Sequence, residues 1–167
     1  MLSCPSMKTA IDTRFFRAGV GTVIYNDAGQ IAIFERSQHP IGVWQLQQGG
    51  IDIGEDTRTT LWRELREEVG LVPADMKRIT EYPAWTVYQD ANSVLDTNKS
   101  RLGQAHRWFF LHLKDTVTID LSTATEVEAA DYKWVSFAEA IEATDDLKKH
   151  VYQDLETYFN EVILKLS

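Results

Sequence analysis

The chain has 167 residues, 44% hydrophobic and 25% charged, a balance that suits one domain able to bury a core. Its formal net charge of −8 argues against broad electrostatic binding to nucleic acid, and no apolar run approaches the roughly 18–20 residues that a membrane span needs. Residues 1–13 lack the apolar stretch of a secretory signal and the single cysteine, Cys4, rules out an internal disulfide framework, so a cytoplasmic protein with no membrane and no stable protein partner is expected.

Residues 1–15 are expected to form a tail ahead of a single domain over 16–167. Val20, Thr22 and Ile24 alternate along one side, Asn26-Asp27-Ala28-Gly29 supplies turn chemistry, and Ile31 and Ile33 resume the period of two. That pattern predicts a hairpin over 19–36. Residues 38–42 read as a loop, followed by a short strand at 44–46; Gly49, Gly50 and Gly54 punctuate a further loop. A helix is predicted over 57–69, stopped by Gly70 and Pro73. Strands are predicted over 79–88, 107–113 and 132–135, with a polar, mobile loop at 90–103. Leu147, Val151, Leu155, Tyr158, Phe159 and Ile163 recur near helical spacing and predict a closing helix over 145–166. A mixed sheet with helices on both faces accommodates this order.

The predicted helix at 57–69 carries the chemistry. At about 100° per residue, Leu61, Trp62, Leu65 and Val69 fall in one core-facing arc, and Glu64, Glu67 and Glu68 fall in the arc beside it. Carboxylates at this spacing repel, each pair costing roughly 0.2–0.5 kcal/mol. A solvated face does not require such a cluster at the edge of a core, whereas a hard divalent cation turns the repulsion into ligation by oxygen. Arg63, one turn before Glu67, is placed to hold a carboxylate in a fixed rotamer.

The surrounding spacing resembles a known motif. Gly49, Glu55 and the run Arg63-Glu64-Leu65-Arg66-Glu67-Glu68-Val69-Gly70-Leu71 match the Nudix box at every defined position over 23 residues. The resemblance implies an α/β class fold, an α/β/α sandwich around a mixed β-sheet, in which the box forms a loop–helix–loop that binds Mg²⁺ or Mn²⁺. It implies Glu64, Glu67 and Glu68 as metal ligands, Glu55 and Arg63 as supports of the loop–helix geometry, and a backbone carbonyl near Gln48 as a further ligand. Cations held there would neutralise phosphate oxygens and acidify a water, so a negative site can accept a polyphosphate.

The flanks narrow the resemblance to bacterial RNA pyrophosphohydrolases and asymmetric dinucleoside tetraphosphate hydrolases. Phe16-Arg17-Ala18-Gly19-Val20-Gly21 is similar to their Tyr-Arg-Pro-Asn-Val-Gly, and Trp44-Gln45-Leu46-Gln47-Gln48-Gly49-Gly50-Ile51 to their Trp-Gln-Phe-Pro-Gln-Gly-Gly-Ile. Residues 85–88, 103–109 and 148–152 resemble further family segments. Those enzymes carry a glutamate six residues before the tryptophan of a Trp-Val strand; here that is Glu128 before Trp134, not Glu126, and it would be an additional ligand or the general base. Arg17, Arg36 and Lys149 would form a phosphate clamp if the fold gathers them, and Gln104 would sit beside a base or sugar. Trp44, Trp85, Trp108 and Trp134 read more readily as core aromatics than as base platforms.

Three departures stand out. Gln47 replaces the usual proline and is expected to loosen the approach to the box, and Ala18-Gly19 replaces Pro-Asn. Leu147 occupies the place of an aromatic that stacks on a base in the RNA enzymes. Stacking of that kind is worth about 1–3 kcal/mol per base, so its loss points toward dinucleoside polyphosphates as much as RNA 5′ ends, with Tyr88 as the next ring available. Nucleoside triphosphates and nucleotide sugars are the alternative substrates. A non-catalytic nucleotide sensor is the alternative from another class, disfavoured by the complete set of box glutamates.

Overall fold

The computed structural model describes residues 15–38, 42–90 and 101–166. From Gly19 onward every residue of β1 (Phe15–Tyr25) is buried, so this strand has no solvent face and must be covered on both sides. That is the reason for the three-layer arrangement. β1 runs parallel to β6 (Arg101–Leu113) from Phe15 to Tyr25, and β6 pairs antiparallel with β5 (Met76–Gln89). On the other side come β2 (Ile31–Arg36) and β3 (Trp44–Gln45), giving the order β3-β2-β1-β6-β5; β4 (Gln48–Gly50) pairs with β1 and β7 (Ala129–Val135) with β2. Alternate strand residues feed two cores. Val20, Ile24, Phe109 and Leu111 pack with Leu61, Leu65 and Val69 of α1 (Thr57–Glu68). Val23, Ile33, Trp108 and Phe110 pack with α2 (Phe137–Ala143) and α3 (Lys149–Glu161) through Ile141, Val151, Tyr152, Leu155 and Phe159.

The sequence-based expectations hold for this layering and fail in pairing detail. β1 and β2 meet only beside their turn, at Tyr25 and Ile31; β2 pairs mainly with β7. Gly49 and Gly50, expected in a loop, form β4. β6 starts at Arg101, so residues 101–103 are strand rather than loop; residues 91–100, 39–41 and 1–14, with Cys4 and nearly all of the expected tail, lie outside the described residues. The closing helix begins at Lys149 and ends in a tighter turn at Ile163–Leu166, and α2 precedes it. Of the four tryptophans read as core aromatics, Trp108 is fully buried and donates to Thr86 Oγ1 at 2.7 Å, and Trp44 and Trp134 pack against the cores. Trp85 departs from the core reading: it is 48% exposed on the edge strand β5. Among the described residues no helix is long and apolar enough to cross a membrane.

α1 is delimited locally. The Asp56 side chain accepts from Thr59 N at 2.7 Å as N-cap. Gly70 takes φ +75°, and a Cβ there would also run into Thr123, so only glycine ends the helix in this way. The segment leading into β4 is fixed from the opposite layer, where the hydroxyl of fully buried Tyr152 accepts from Leu46 N at 2.8 Å. Tyr152→Phe removes that acceptor and leaves the Leu46 N–H buried and unsatisfied. Urea unfolding of this variant is expected to show a loss of about 1–3 kcal/mol; a change within error would mean that the bond contributes nothing.

Candidate active site

The box helix places one carboxylate beneath the sheet and two at its edge. Glu64 is buried, and a Cβ on Gly49 would collide with its carboxyl group, which is why β4 has glycine at that point. Arg63 organises the cluster. Its Nε and Nη2 donate to the two oxygens of Glu55 at 2.7 and 2.8 Å, Nη1 donates to Glu64 Oε1 at 2.9 Å and Glu67 Oε2 at 3.1 Å, and Nη2 also donates to the Gly50 carbonyl at 2.9 Å. One guanidinium therefore ties the loop, the helix and β4 together through a planar fork that a lysine does not reproduce. The fork to Glu55 holds the Arg63 pKa above the ordinary arginine value.

Glu68 is half-buried, and Gln47 Nε2 donates to its Oε2 at 3.1 Å. Burial, with Glu128 and Glu64 as negative neighbours, pushes the Glu68 carboxyl up to about 9; burial likewise raises Glu64. Carboxylates held in this state prefer a positive neighbour, and a hard cation is the neighbour that oxygen donors suit. Among the described residues no three acidic, histidine or cysteine groups converge at ligating distance. Arg63 and Gln47 each engage one oxygen of their carboxylate partners. Glu128 and Glu126 both border the site, yet only Glu128 acts on Glu64 and Glu68. Glu126 is tied by its backbone, N to Glu67 O at 2.8 Å.

Arg63, Glu64, Glu67, Glu68, Glu126 and Glu128 line one cleft of about 420 Å³ together with Arg17, Arg36, Gln48, Tyr88, Gln104 and Lys148. The fold thus brings Arg17 and Arg36 to a common cleft with the box glutamates, and Tyr88 and Gln104 with them. It does not bring Lys149. Lys149 pairs with Asp146 at 2.9 Å one turn away, and its neighbour Lys148 faces the cleft, donating to Gln45 Oε1 at 2.9 Å with its ammonium 5.4 Å from the Tyr88 ring centroid. Consecutive helical residues point about 100° apart, so only one of the pair can face the cleft. Burial, with Arg36 acting the same way, lowers the Lys148 pKa.

Sequence reasoning missed His106. It stacks under Tyr88 at 5.8 Å and 14°, and burial with the nearby Lys148 and Arg17 drives its pKa down to about 3, so the cleft floor stays uncharged. It lies in the family-like segment 103–109, but its contact with Tyr88 depends on the pairing of β5 with β6. Leu147 lies in a separate surface hollow with Val87 and His150 that shares Tyr88 with the cleft.

Glu55 gives a pH signature. Its bonds to Arg63, then to Thr60, depress its pKa from 4.5 to about 2. A depressed carboxylate stabilises the fold above its unfolded pKa and loses that contribution as pH falls through the folded value. Wild type should therefore be more stable than Glu55→Gln at pH 7, with the gap closing between pH 4.5 and 2. Melting temperatures across that range check this; a gap that persists at pH 2 would show that Glu55 acts by shape alone.

The comparisons with known proteins agree with this geometry. A family model described as NUDIX domain matches residues 15–155. An RNA pyrophosphohydrolase of Shewanella pealeana is 36% identical over 161 residues, 94% of this chain and 91% of that one. Another, of Ruthia magnifica, is 36% identical over 148 residues, 87% of this chain and 82% of that one. Among solved structures, a C. elegans Ap4A hydrolase binary complex matches with a TM-score of 0.63 at 19% identity, covering 85% of this chain and 98% of that one. The NUDIX domain of Shewanella oneidensis NrtR complexed with ADP ribose matches at 0.63 and 18%, covering 89% and 88%. At such identities the two structures speak for the fold alone. The matched span includes the whole box, its loop and the sheet that carries the cleft, and on these grounds the chain belongs to the Nudix family and is a hydrolase.

Proposed function

We propose that the protein is a Mg²⁺-dependent pyrophosphohydrolase that cleaves a phosphoanhydride bond at the 5′ end of triphosphorylated RNA. The observation that carries this reading is a single cleft lined both by the box carboxylates and by Arg17, Arg36 and Lys148. The names of the relatives, RNA pyrophosphohydrolases, support the substrate. Glu64, Glu67, Glu68 and Glu128, with the backbone carbonyl beside Gln48, are the oxygen donors suited to hold Mg²⁺, and Mn²⁺ suits the same donors. When bound, such cations neutralise phosphate oxygens and lower the pKa of a coordinated water.

The chain's own residues do the rest. Arg63 fixes Glu64 and Glu67 in place. Arg17, Arg36 and Lys148 hold the phosphate chain, so that the bond to be cleaved rests over the carboxylates. Tyr88 and Gln104 adjoin the first nucleoside. Glu128, exposed beside Glu68, takes the proton of the attacking water. RNA 5′ ends of this kind arise where transcription takes place, which makes the cytoplasm the compartment.

This assignment of roles predicts a hierarchy. Glu68→Gln keeps the shape of a ligand and removes its charge, and kcat should fall by orders of magnitude with the fold retained. Glu128→Ala should cost about 10²–10⁴-fold, the ordinary worth of general-base assistance, and Glu126→Ala far less. Steady-state rates at saturating Mg²⁺ decide the matter; equal losses at 126 and 128 would mean that the wrong carboxylate has been assigned.

A second reading, hydrolysis of dinucleoside polyphosphates, is favoured by one observation. Residue 147 borders Tyr88 yet carries an aliphatic side chain, 41% exposed, and so offers no ring to the second base of an RNA. On this basis wild type should turn over diadenosine tetraphosphate at least as efficiently as a short triphosphorylated RNA. Leu147→Phe should shift the ratio of kcat/KM toward RNA, by up to the roughly 1–3 kcal/mol that stacking supplies. A panel of both substrates with nucleoside triphosphates and ADP-ribose tests the assignment. Strong RNA preference in wild type, unchanged by Leu147→Phe, would discard the argument from Leu147, and turnover of nucleoside triphosphates or ADP-ribose alone would overturn both readings.

A further inference from the structure

Gln47 was expected to loosen the approach to the box, and the structure shows the reverse. The residue is buried, 3% exposed, and both ends of its amide are used. Nε2 donates to Glu68 Oε2 at 3.1 Å, and Oε1 accepts from the hydroxyl of fully buried Thr22 at 2.9 Å. The amide has one sense when Glu68 is ionised, the form that ligates a cation. A carboxylate oxygen then only accepts, so the nitrogen faces Glu68, and the oxygen is turned to a hydroxyl that can donate. The backbone at this point is pinned on both sides, Thr22 N donating to Gln47 O at 2.9 Å and Leu46 N to the Tyr152 hydroxyl at 2.8 Å. The amide thus has no freedom to retreat from Glu68.

We infer that Gln47 is a positioning residue, oriented by Thr22, that holds the Glu68 carboxylate so that one oxygen faces the protein and the other is presented to the catalytic cation. The inference rests on the reading of Glu68 as a ligand. A carboxylate on a flexible stem must otherwise lose rotamer freedom when it ligates; one already bonded through its far oxygen has lost it on folding. The arrangement divides labour with Arg63, which holds Glu64 and Glu67 from the solvent side. Gln47 and Thr22 hold the remaining box glutamate through a polar pair that β1 and the residue just before β4 bring together.

Mn²⁺ binding to the full chain without substrate, followed by calorimetry, separates this role from simple core filling. Wild type should bind and Glu68→Gln should bind far more weakly. Gln47→Met, unbranched and of similar length, should weaken Mn²⁺ binding roughly tenfold to a hundredfold, the usual effect of removing a partner that orients a ligand. It also strands the buried Thr22 hydroxyl and so loses stability for an unrelated reason. The double variant Thr22→Val/Gln47→Met removes both partners together, a change that can be nearly neutral for stability. Its melting temperature should stay close to that of wild type while its Mn²⁺ affinity matches that of Gln47→Met. Thr22→Val alone should weaken binding less, since the amide remains but is free to turn. Wild-type Mn²⁺ affinity in the double variant would overturn the role of Gln47 while leaving the cation reading intact. Failure of wild type to bind Mn²⁺ would overturn both.

Discussion

The site depends on one guanidinium. Glu64, Glu67 and Glu68 lie within two turns of one helix, with Glu55 a short loop away, and without compensation this density of negative charge would oppose both the helix and the burial of its face. Arg63 resolves the conflict by engaging Glu55, Glu64, Glu67 and the Gly50 carbonyl at once. The arrangement is partial by design of the geometry. Arg63 satisfies one oxygen of Glu64 and one of Glu67 and does not reach Glu68, so the cluster retains a demand for positive charge that a bound cation can meet. A stronger internal neutralisation would give a more stable helix and a poorer cation site.

The sheet decides where that demand is felt. Parallel pairing of β1 with β6 sets Arg17 beside Gln104 and Gly19 beside His106, and antiparallel pairing of β6 with β5 adds Tyr88 to the same row. The close approaches need glycines: a Cβ at Gly50 would strike the Arg17 guanidinium, just as one at Gly49 would strike Glu64. Two adjacent glycines in β4 therefore let an arginine and a glutamate approach the same short strand. This is how cationic and acidic side chains come to line one cleft.

Such relationships explain which parts of the molecule the sequence discloses. α1 was legible because its signals are local: the Asp56 cap, the Leu61, Leu65 and Val69 stripe, and Gly70 at the end. α2 was equally signalled by Ser136 and Glu139, whose capping box the structure contains, but its seven residues are too short for a periodic pattern to stand out. β4 was hidden because glycine carries no strand preference; its pairing follows from what lies against it. That Lys148 and not Lys149 faces the cleft was not legible, because helical phase at a first turn is fixed by where the helix begins, and Lys148 is the capping residue. Gln47 and His106 were beyond reach, since their partners Thr22 and Tyr88 are assigned only by strand register.

The placement of Lys148 also ties the far layer to the chemistry. Lys148 bonds Gln45 Oε1, and Tyr152, one turn further along α3, bonds Leu46 N. α3 thus grips two consecutive residues of the segment that next becomes Gln47, Gln48 and β4. Because Tyr152 is fully buried, its bond to Leu46 N holds the backbone just ahead of Gln47, and the Lys148 bond holds the neighbouring side chain. The helical layer on the far face of the sheet therefore seats the segment that carries Gln47 to Glu68.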